Sequence, residues 1–287
     1  MTPRRGSGQA SSPRSRQIRG PRSAFRRPRR RFGQHFLEPA WVDKLIDRLD
    51  LQPGDTFLEI GPGRGALTLP LARRVNRVVA VEIDRDLVAA LAREVPPNVR
   101  LVQGDVLDLS LDEILRGDTQ PVRVVGNLPY NVASPILFKL LRSHDAGRRL
   151  SDATLMLQRE VADRLVASPG TGEYGALTIQ VALHANVERV LTLPPGAFRP
   201  PPTVTSAVVR LRFRPPAVDV GDPVVFERLV RSIFLQRRKM LANALKPVAD
   251  SMGRSAPQVL SHAGIDGRRR PETLTLAEVS RLVGAVL

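Results

Sequence analysis

These 287 residues contain no cysteine. Disulfides, thiolate nucleophiles and cysteine-held metal sites are thereby excluded, which suits a reducing compartment. No apolar run approaches the roughly 20 residues a membrane helix needs. Aromatics are scarce at 4%, with one tryptophan and two tyrosines. Acid is missing altogether from residues 1–31, which hold eleven arginines. Without those eleven, the formal charge of +16 falls to +5 over the other 256 residues. A charge excess of this kind favours a polyanionic partner, most simply nucleic acid.

What is there begins with a hydrophobic content of 42%, ordinary for a folded protein. The length suits one large domain and a small one. Residues 1–31 are rich in Ser, Gly, Pro and Arg. Such a stretch cannot bury a core, so a disordered tail is expected there. An organelle transit peptide is the competing reading of an Arg-rich, acid-free start. Its prolines and glycines argue against the amphipathic helix that reading needs.

The organised chain starts near residue 32. Val42, Leu45, Ile46 and Leu49 fall on one face of a helix, with Gln34 and His35 on a short loop before it. Thr56–Ile60 reads as an apolar strand, followed by Gly61, Gly63 and Gly65. Closely spaced glycines allow a tight turn and a close backbone approach to a ligand. Pro70 predicts that the following helix begins late or bends. The loop by itself also satisfies a loose dinucleotide fingerprint.

The next strands run over 77–84, 99–106 and 122–127, tipped by Glu82, Asp105 and Asn127. The order of strand, glycine loop, helix and further acid-tipped strands predicts a parallel α/β sheet. Its carboxyl edge would then gather these tips at one ligand site. At the last tip, Asn127 is followed by Leu128, Pro129 and Tyr130. An amide and a backbone carbonyl beside a rigid proline can both accept from an amine. Tyr130 offers a flat face for stacking. That combination suits the exocyclic amine of a base.

Three stretches, Phe32–Leu37, Glu59–Thr68 and Asn127–Asn131, resemble the rRNA adenine dimethyltransferases. The likeness continues through Leu157–Ala162, Glu173–Gly175, Phe198–Val204 and Gln236–Lys239, covering about residues 31–287 in order. Within that family the chain looks most like the bacterial enzymes that dimethylate two adjacent adenines near the 3′ end of 16S rRNA. The resemblance implies a Rossmann-like class I methyltransferase fold, with a seven-stranded sheet and a small all-α C-terminal domain. It implies S-adenosylmethionine as cofactor, 16S rRNA in an assembling small subunit as partner, no metal, a monomer, and a cytoplasmic location.

The resemblance also implies roles. Gln34, His35 and Leu37 would close over the cofactor, and Gly61 and Gly63 would meet its methionine portion. Glu82, with Ile83 beside it, would hold the ribose. Asp105 would take the adenine amine while Val106 packs on the ring. Asn127 would serve both pockets. The target amine would meet Asn127 and the Leu128 carbonyl, with Pro129 shaping the turn. Tyr130 and Phe198 would stack on the flipped base. Arg237, Arg238 and Lys239 would touch RNA. Many relatives carry Asn in place of His35, so the loop is the firmer part of that assignment.

Residues 135–141 read as a helix, and 153–158, 177–193 and 205–214 as strands, the last two an antiparallel pair closing the sheet. Pro215 and Pro216 then break the chain. The expected domains are therefore 32–216 for catalysis and 217–287 for a helical, RNA-binding unit. Three alternatives stand beside this reading: a 23S rRNA methyltransferase of the erythromycin-resistance type, a non-catalytic ribosome-assembly factor, and a dehydrogenase. The dehydrogenase leaves Asn127–Tyr130 without a purpose.

Overall fold

The computed structural model describes residues 35–118, 120–147 and 150–287. The arginine-rich stretch and Gln34 lie outside the described residues. The strands are β1 (Phe36–Leu37), β2 (Thr56–Ile60), β3 (Arg77–Glu82), β4 (Val99–Gln103), β5 (Val122–Asn127), β6 (Leu150–Gln158), β7 (Ala185–Leu193), β8 (Phe198–Arg199) and β9 (Ser206–Phe213). Seven of them form one sheet in the order β4-β3-β2-β5-β6-β9-β7. The first five pair in parallel, and β9 runs antiparallel between β6 and β7. β1 and β8 form a separate two-stranded ribbon.

The sheet is covered on both faces, as near-continuous apolar strands require. Alternation along each strand sends successive side chains to opposite faces. Leu58, Ile60, Val79, Val81 and Val124 pack with α5 (Ala133–Asp145), which supplies Ile136, Leu137 and Leu140. Phe57, Val78, Ala80 and Val125 face the other way. They meet Leu45 of α1 (Pro39–Ile46) and Leu71 of α2 (Thr68–Ala72). Helix α2 does begin late, with Pro70 inside its first turn, where the missing N–H costs least. Helix α3 (Arg85–Leu91) starts at Asp84, whose side chain accepts from the Asp86 amide. The short α4 (Leu111–Ile114) follows β4.

Residues 177–184 are not strand. They belong to α7 (Ala176–His184), which follows α6 (Arg159–Leu165). The reason lies in what α7 touches. Val181 packs into the sheet core, whereas Ile179 and Leu183 pack into a second, helical core. A helix buried on two sides loses its polar face, and with it the 3.6-residue signature.

That second core is built by α8 (Pro223–Leu235), α9 (Leu241–Ala244), α10 (Lys246–Ser251), α11 (Ala256–Ala263) and α12 (Leu276–Val286). Caps set the boundaries of three of these helices: Asp222 accepts from Val224 and Val225, and Ser255 and Thr275 each form a capping box. Such caps contribute about 1 kcal/mol each. The helical core also takes Tyr174, whose hydroxyl donates to the Leu274 carbonyl at 2.8 Å. Residues before 216 therefore pack into the core built by the helices after it.

Candidate active site

The parallel strands β2–β5 end on one edge, and the chain leaves each tip with a polar group. After β2 the backbone turns through Gly61, Gly63 and Gly65 at φ of 73°, 58° and 80°. A side chain at Gly63 would be strained there and would sit 3.0 Å from the Phe36 ring. β3 ends at Glu82, which is buried. β4 ends at Gln103, earlier than expected, so Asp105 lies in the turn beyond it. β5 ends at Asn127.

A cavity of about 300 Å³ runs along this edge. Its walls include His35, Leu37, Gly61, Gly63, Glu82, Ile83, Asp105, Val106, Asn127, Leu128, Pro129 and Tyr130. Every described residue expected to meet cofactor or amine is thus brought to one place. Ile83 stands 45% exposed at the cavity, which is costly for an isoleucine unless a ligand covers it.

The cavity is acid-lined. Glu59, Glu82 and Asp105 face it, and among the described residues no lysine or arginine does. Glu82 accepts the Gly63 amide at 3.0 Å and the Asp84 amide at 2.9 Å, which stiffens the glycine loop. Two carboxylate oxygens retain acceptor capacity beyond those two bonds. Burial, the largest influence, raises the Glu82 pKa, and those amides oppose it. Glu59 lies deeper, 2% exposed, with Oε2 lacking a hydrogen-bond partner among the described residues. Burial, reinforced by the charge of Glu82, pushes its pKa up to about 7. Sequence reasoning gave Glu59 no role. The signal was present, since it is an acid inside the otherwise apolar β2. An acid-lined pocket with a late helix start suits a cationic ligand better than the pyrophosphate of a dinucleotide.

The other end of the cavity is an amide and two rings. Asn127 donates from Nδ2 to the His35 carbonyl at 2.6 Å. A carbonyl can only accept, so this contact assigns the amide orientation and leaves Oδ1 as a free-standing acceptor. The His35 ring lies against Tyr130, centroids 6.1 Å apart and planes 21° from parallel. His35 Nδ1 is 2.8 Å from the Pro200 carbonyl. The β1–β8 ribbon thus straps the segment at 35–37 across the cavity, with Arg64 over the Phe36 ring at 4.5 Å. The sequence pattern did not reveal this ribbon, because a two-residue strand has no periodicity.

Four expected residues lie elsewhere. Phe198 is 4% exposed, belongs to the apolar cluster that holds Leu37 and Val42, and is not among the cavity walls. Arg237, Arg238 and Lys239 are on a turn after α8, away from the cavity. Arg237 donates to the Gly172 carbonyl at 2.9 Å, whereas Arg238 and Lys239 are exposed. Hydrogen bonds from Leu241 to Arg269 and from Ala242 to Gly267 lay the basic run 268–270 beside them. Among the described residues there is no cluster of metal-ligating side chains, and no helix is long and apolar enough to cross a membrane.

Comparison with known proteins agrees with this geometry. Residues 25–283 match the family described as ribosomal RNA adenine dimethylase. The ribosomal RNA small subunit methyltransferase A of Alcanivorax borkumensis is 45% identical over 255 residues, covering 88% of each chain. The protein of the same name from Laribacter hongkongensis is 44% identical over 258 residues, 88% of this chain and 93% of that one. Among solved structures, a dimethyladenosine transferase from Plasmodium falciparum superposes with a TM-score of 0.75 at 26% identity, covering 86% of this chain and 96% of its own. The 23S rRNA methyltransferase ErmE gives 0.63 at 26% identity, covering 88% and 99%.

Proposed function

The chain belongs to the ribosomal RNA adenine dimethylase family, and on that premise we propose that it dimethylates the N6 amines of two adjacent adenines in a hairpin near the 3′ end of 16S rRNA. It is an rRNA adenine dimethyltransferase, and its relatives at 44–45% identity carry the small-subunit name, which favours that rRNA over the large-subunit one. S-adenosylmethionine is the donor in this reading. The substrate is the assembling small subunit, met in the cytoplasm by a monomer.

The cavity fits the donor. The acids Glu59, Glu82 and Asp105 suit a cationic ligand carrying a ribose and an adenine. Glu82 would accept from the ribose hydroxyls and Asp105 from the adenine amine, with Val106 and Ile83 against the ring. The glycine loop would meet the methionine portion. When bound, S-adenosylmethionine supplies an already activated methyl group, so the chain needs no nucleophile of its own.

The one observation that carries the reading is the Asn127 amide. Its Nδ2 is held by His35, so Oδ1 is committed as an acceptor at the mouth of an acid-lined pocket. The N6 amine of adenine is a poor nucleophile because its lone pair is delocalised into the ring. Accepting its two hydrogens, at Asn127 Oδ1 and the Leu128 carbonyl, turns that lone pair out of conjugation and toward the methyl. Alignment of this kind can supply roughly 7–11 kcal/mol. The proton is lost after transfer, so no general base is assigned. Flipping the base costs a few kcal/mol. Stacking on Tyr130 returns about 1–3 kcal/mol. Arg238 and Lys239 would hold phosphates and position the RNA without reading its sequence.

The test supplies labelled S-adenosylmethionine to unmethylated small subunits, large subunits and naked rRNA, and maps the product by mass spectrometry. Dimethyladenosine is expected in small-subunit RNA. Product found only in large-subunit RNA overturns the assignment. Asn127→Ala should abolish transfer while RNA binding persists; a variant that methylates at the native rate overturns the mechanism.

A further inference from the structure

One polar contact at the cavity has no role in the chemistry above. The Tyr130 hydroxyl and Ser206 Oγ are 2.7 Å apart. Stacking needs only the face of the ring, which a phenylalanine would offer equally. A hydroxyl that meets a second, buried hydroxyl serves another purpose.

Ser206 is well placed to hold something still. It is the first residue of β9 and 1% exposed. Its strand pairs on both sides, with Ser206 opposite Gln158 of β6 and Leu193 of β7. The preceding residue accepts the Arg159 amide at 3.0 Å, which ties the end of the strand to the start of α6. The rest of β9 near it is Ala207, Val208 and Val209, all fully buried. A serine therefore ends an otherwise apolar strand, and its hydroxyl crosses the end of β6 to reach the loop after β5.

We propose that Ser206 is a positioning residue of the methyl-transfer site: it fixes where the Tyr130 ring sits so that a base stacked there presents its amine to Asn127. The proposal rests on Tyr130 being the platform for the target base. The phenol oxygen lies at the far end of the side chain from Cα. That oxygen lies on the axis of ring rotation, so a restraint there limits the swing of the whole ring about Cα–Cβ, whereas contacts on the face of the ring limit its tilt. The His35 ring already limits tilt from one side. Ser206 supplies the remaining restraint from a rigid strand, which is how a site is kept in productive geometry before its substrate arrives. A misplacement of about 1 Å at such a site is enough to slow the chemical step.

The measurement is made on the full chain with unmethylated small subunits and tritiated S-adenosylmethionine. Tyr130→Phe, Ser206→Ala, the double variant, Ser206→Thr and Tyr130→Ala are compared for kcat, for KM toward the subunit, and for S-adenosylhomocysteine binding by calorimetry. Each hydroxyl deletion should lower kcat about five- to tenfold, the loss expected for one neutral hydrogen bond. Subunit KM and ligand affinity should stay near the starting values. The double variant should lose no more than either single one, and Ser206→Thr should recover much of the rate. A native kcat for Tyr130→Phe, or losses that multiply in the double variant, overturn the proposal. Tyr130→Phe carries the test even where Ser206→Ala folds poorly, because Tyr130 is only half-buried. Tyr130→Ala separates the two levels. Its inactivity beside a native Tyr130→Phe leaves the platform standing and removes Ser206. A fully active Tyr130→Ala removes the platform itself.

Discussion

Glu59 makes the free enzyme sensitive to pH in a direction opposite to most carboxylates. Its pKa is raised from 4.5 to about 7 by burial first and by the charge of Glu82 second. In the unfolded chain the proton leaves near the ordinary value; in the folded chain it stays on to about 7. Below the unfolded value both states are protonated, and the folded state loses nothing. Between the two values the folded state holds a proton that the unfolded state has released, so each step up in pH weakens the fold. Above the folded value the loss is complete and constant. A gap of about 2.5 pH units at about 1.4 kcal/mol each sets the loss at about 3 kcal/mol. Glu59→Gln keeps the shape and removes the titration. At this chain size 1 kcal/mol moves Tm by roughly 2–4 °C. The variant should therefore melt close to the parent at pH 4 and about 6–12 °C above it at pH 8, in ligand-free protein at matched ionic strength. Tm differences that stay constant across that range would refute the assignment of a neutral Glu59.

Two further changes probe the frame around the site. Gly126→Ala places a Cβ 2.9 Å from the Ile60 carbonyl and 3.0 Å from a Leu128 methyl, in the central β2–β5 pair one residue before Asn127. Overpacking of this kind costs about 1–3 kcal/mol, so lower stability in urea and a loss of transfer should appear together; full activity at unchanged stability contradicts the packing. Replacing Arg238 and Lys239 by Ala removes two exposed cations and should flatten the log–log salt dependence of RNA binding by roughly 1.5, while ligand affinity at the cavity stays as it was. An unchanged salt slope would place the RNA elsewhere.

How much of this was legible beforehand depends on how each residue does its work. Gly61, Glu82, Asp105 and Asn127 were readable because they are side chains, or their absence, where apolar runs end, and those runs located the strand tips. The seven-stranded sheet was expected from the family resemblance, and its order was not legible in the pattern. Helix α7 was misread because Ile179, Val181 and Leu183 serve two cores at once. The burial of Phe198 was not marked in the sequence, because the β1–β8 ribbon that covers it is too short to show a period. The partner that orients Asn127 was beyond sequence reasoning, since it is the backbone carbonyl of His35, 92 residues away. Any residue type at that position brings a carbonyl, so no pattern marks it.

The same distinction explains why charge was the weakest guide. Two arginines on the strands lie buried within the fold and face no polyanion. Arg123 is paired with Asp55 at 2.8 Å and with Asp152 at 2.9 Å, and Arg210 meets Asp50 at 3.1 Å. These pairs bind the amino-end turns to the strands, so neither guanidinium reaches the carboxyl edge. Had one of those guanidinium groups reached the cavity, it would have neutralised the acids that make the pocket suitable for a cationic donor. The chain thus separates its charges by depth: buried arginines join the frame, acids line the cavity, and the exposed Arg238 and Lys239 stand apart on the helical unit. In the proposed function, methyl donor and RNA would be held by opposite potentials on one molecule and would meet where the surface is neither, at the amide and ring of Asn127 and Tyr130.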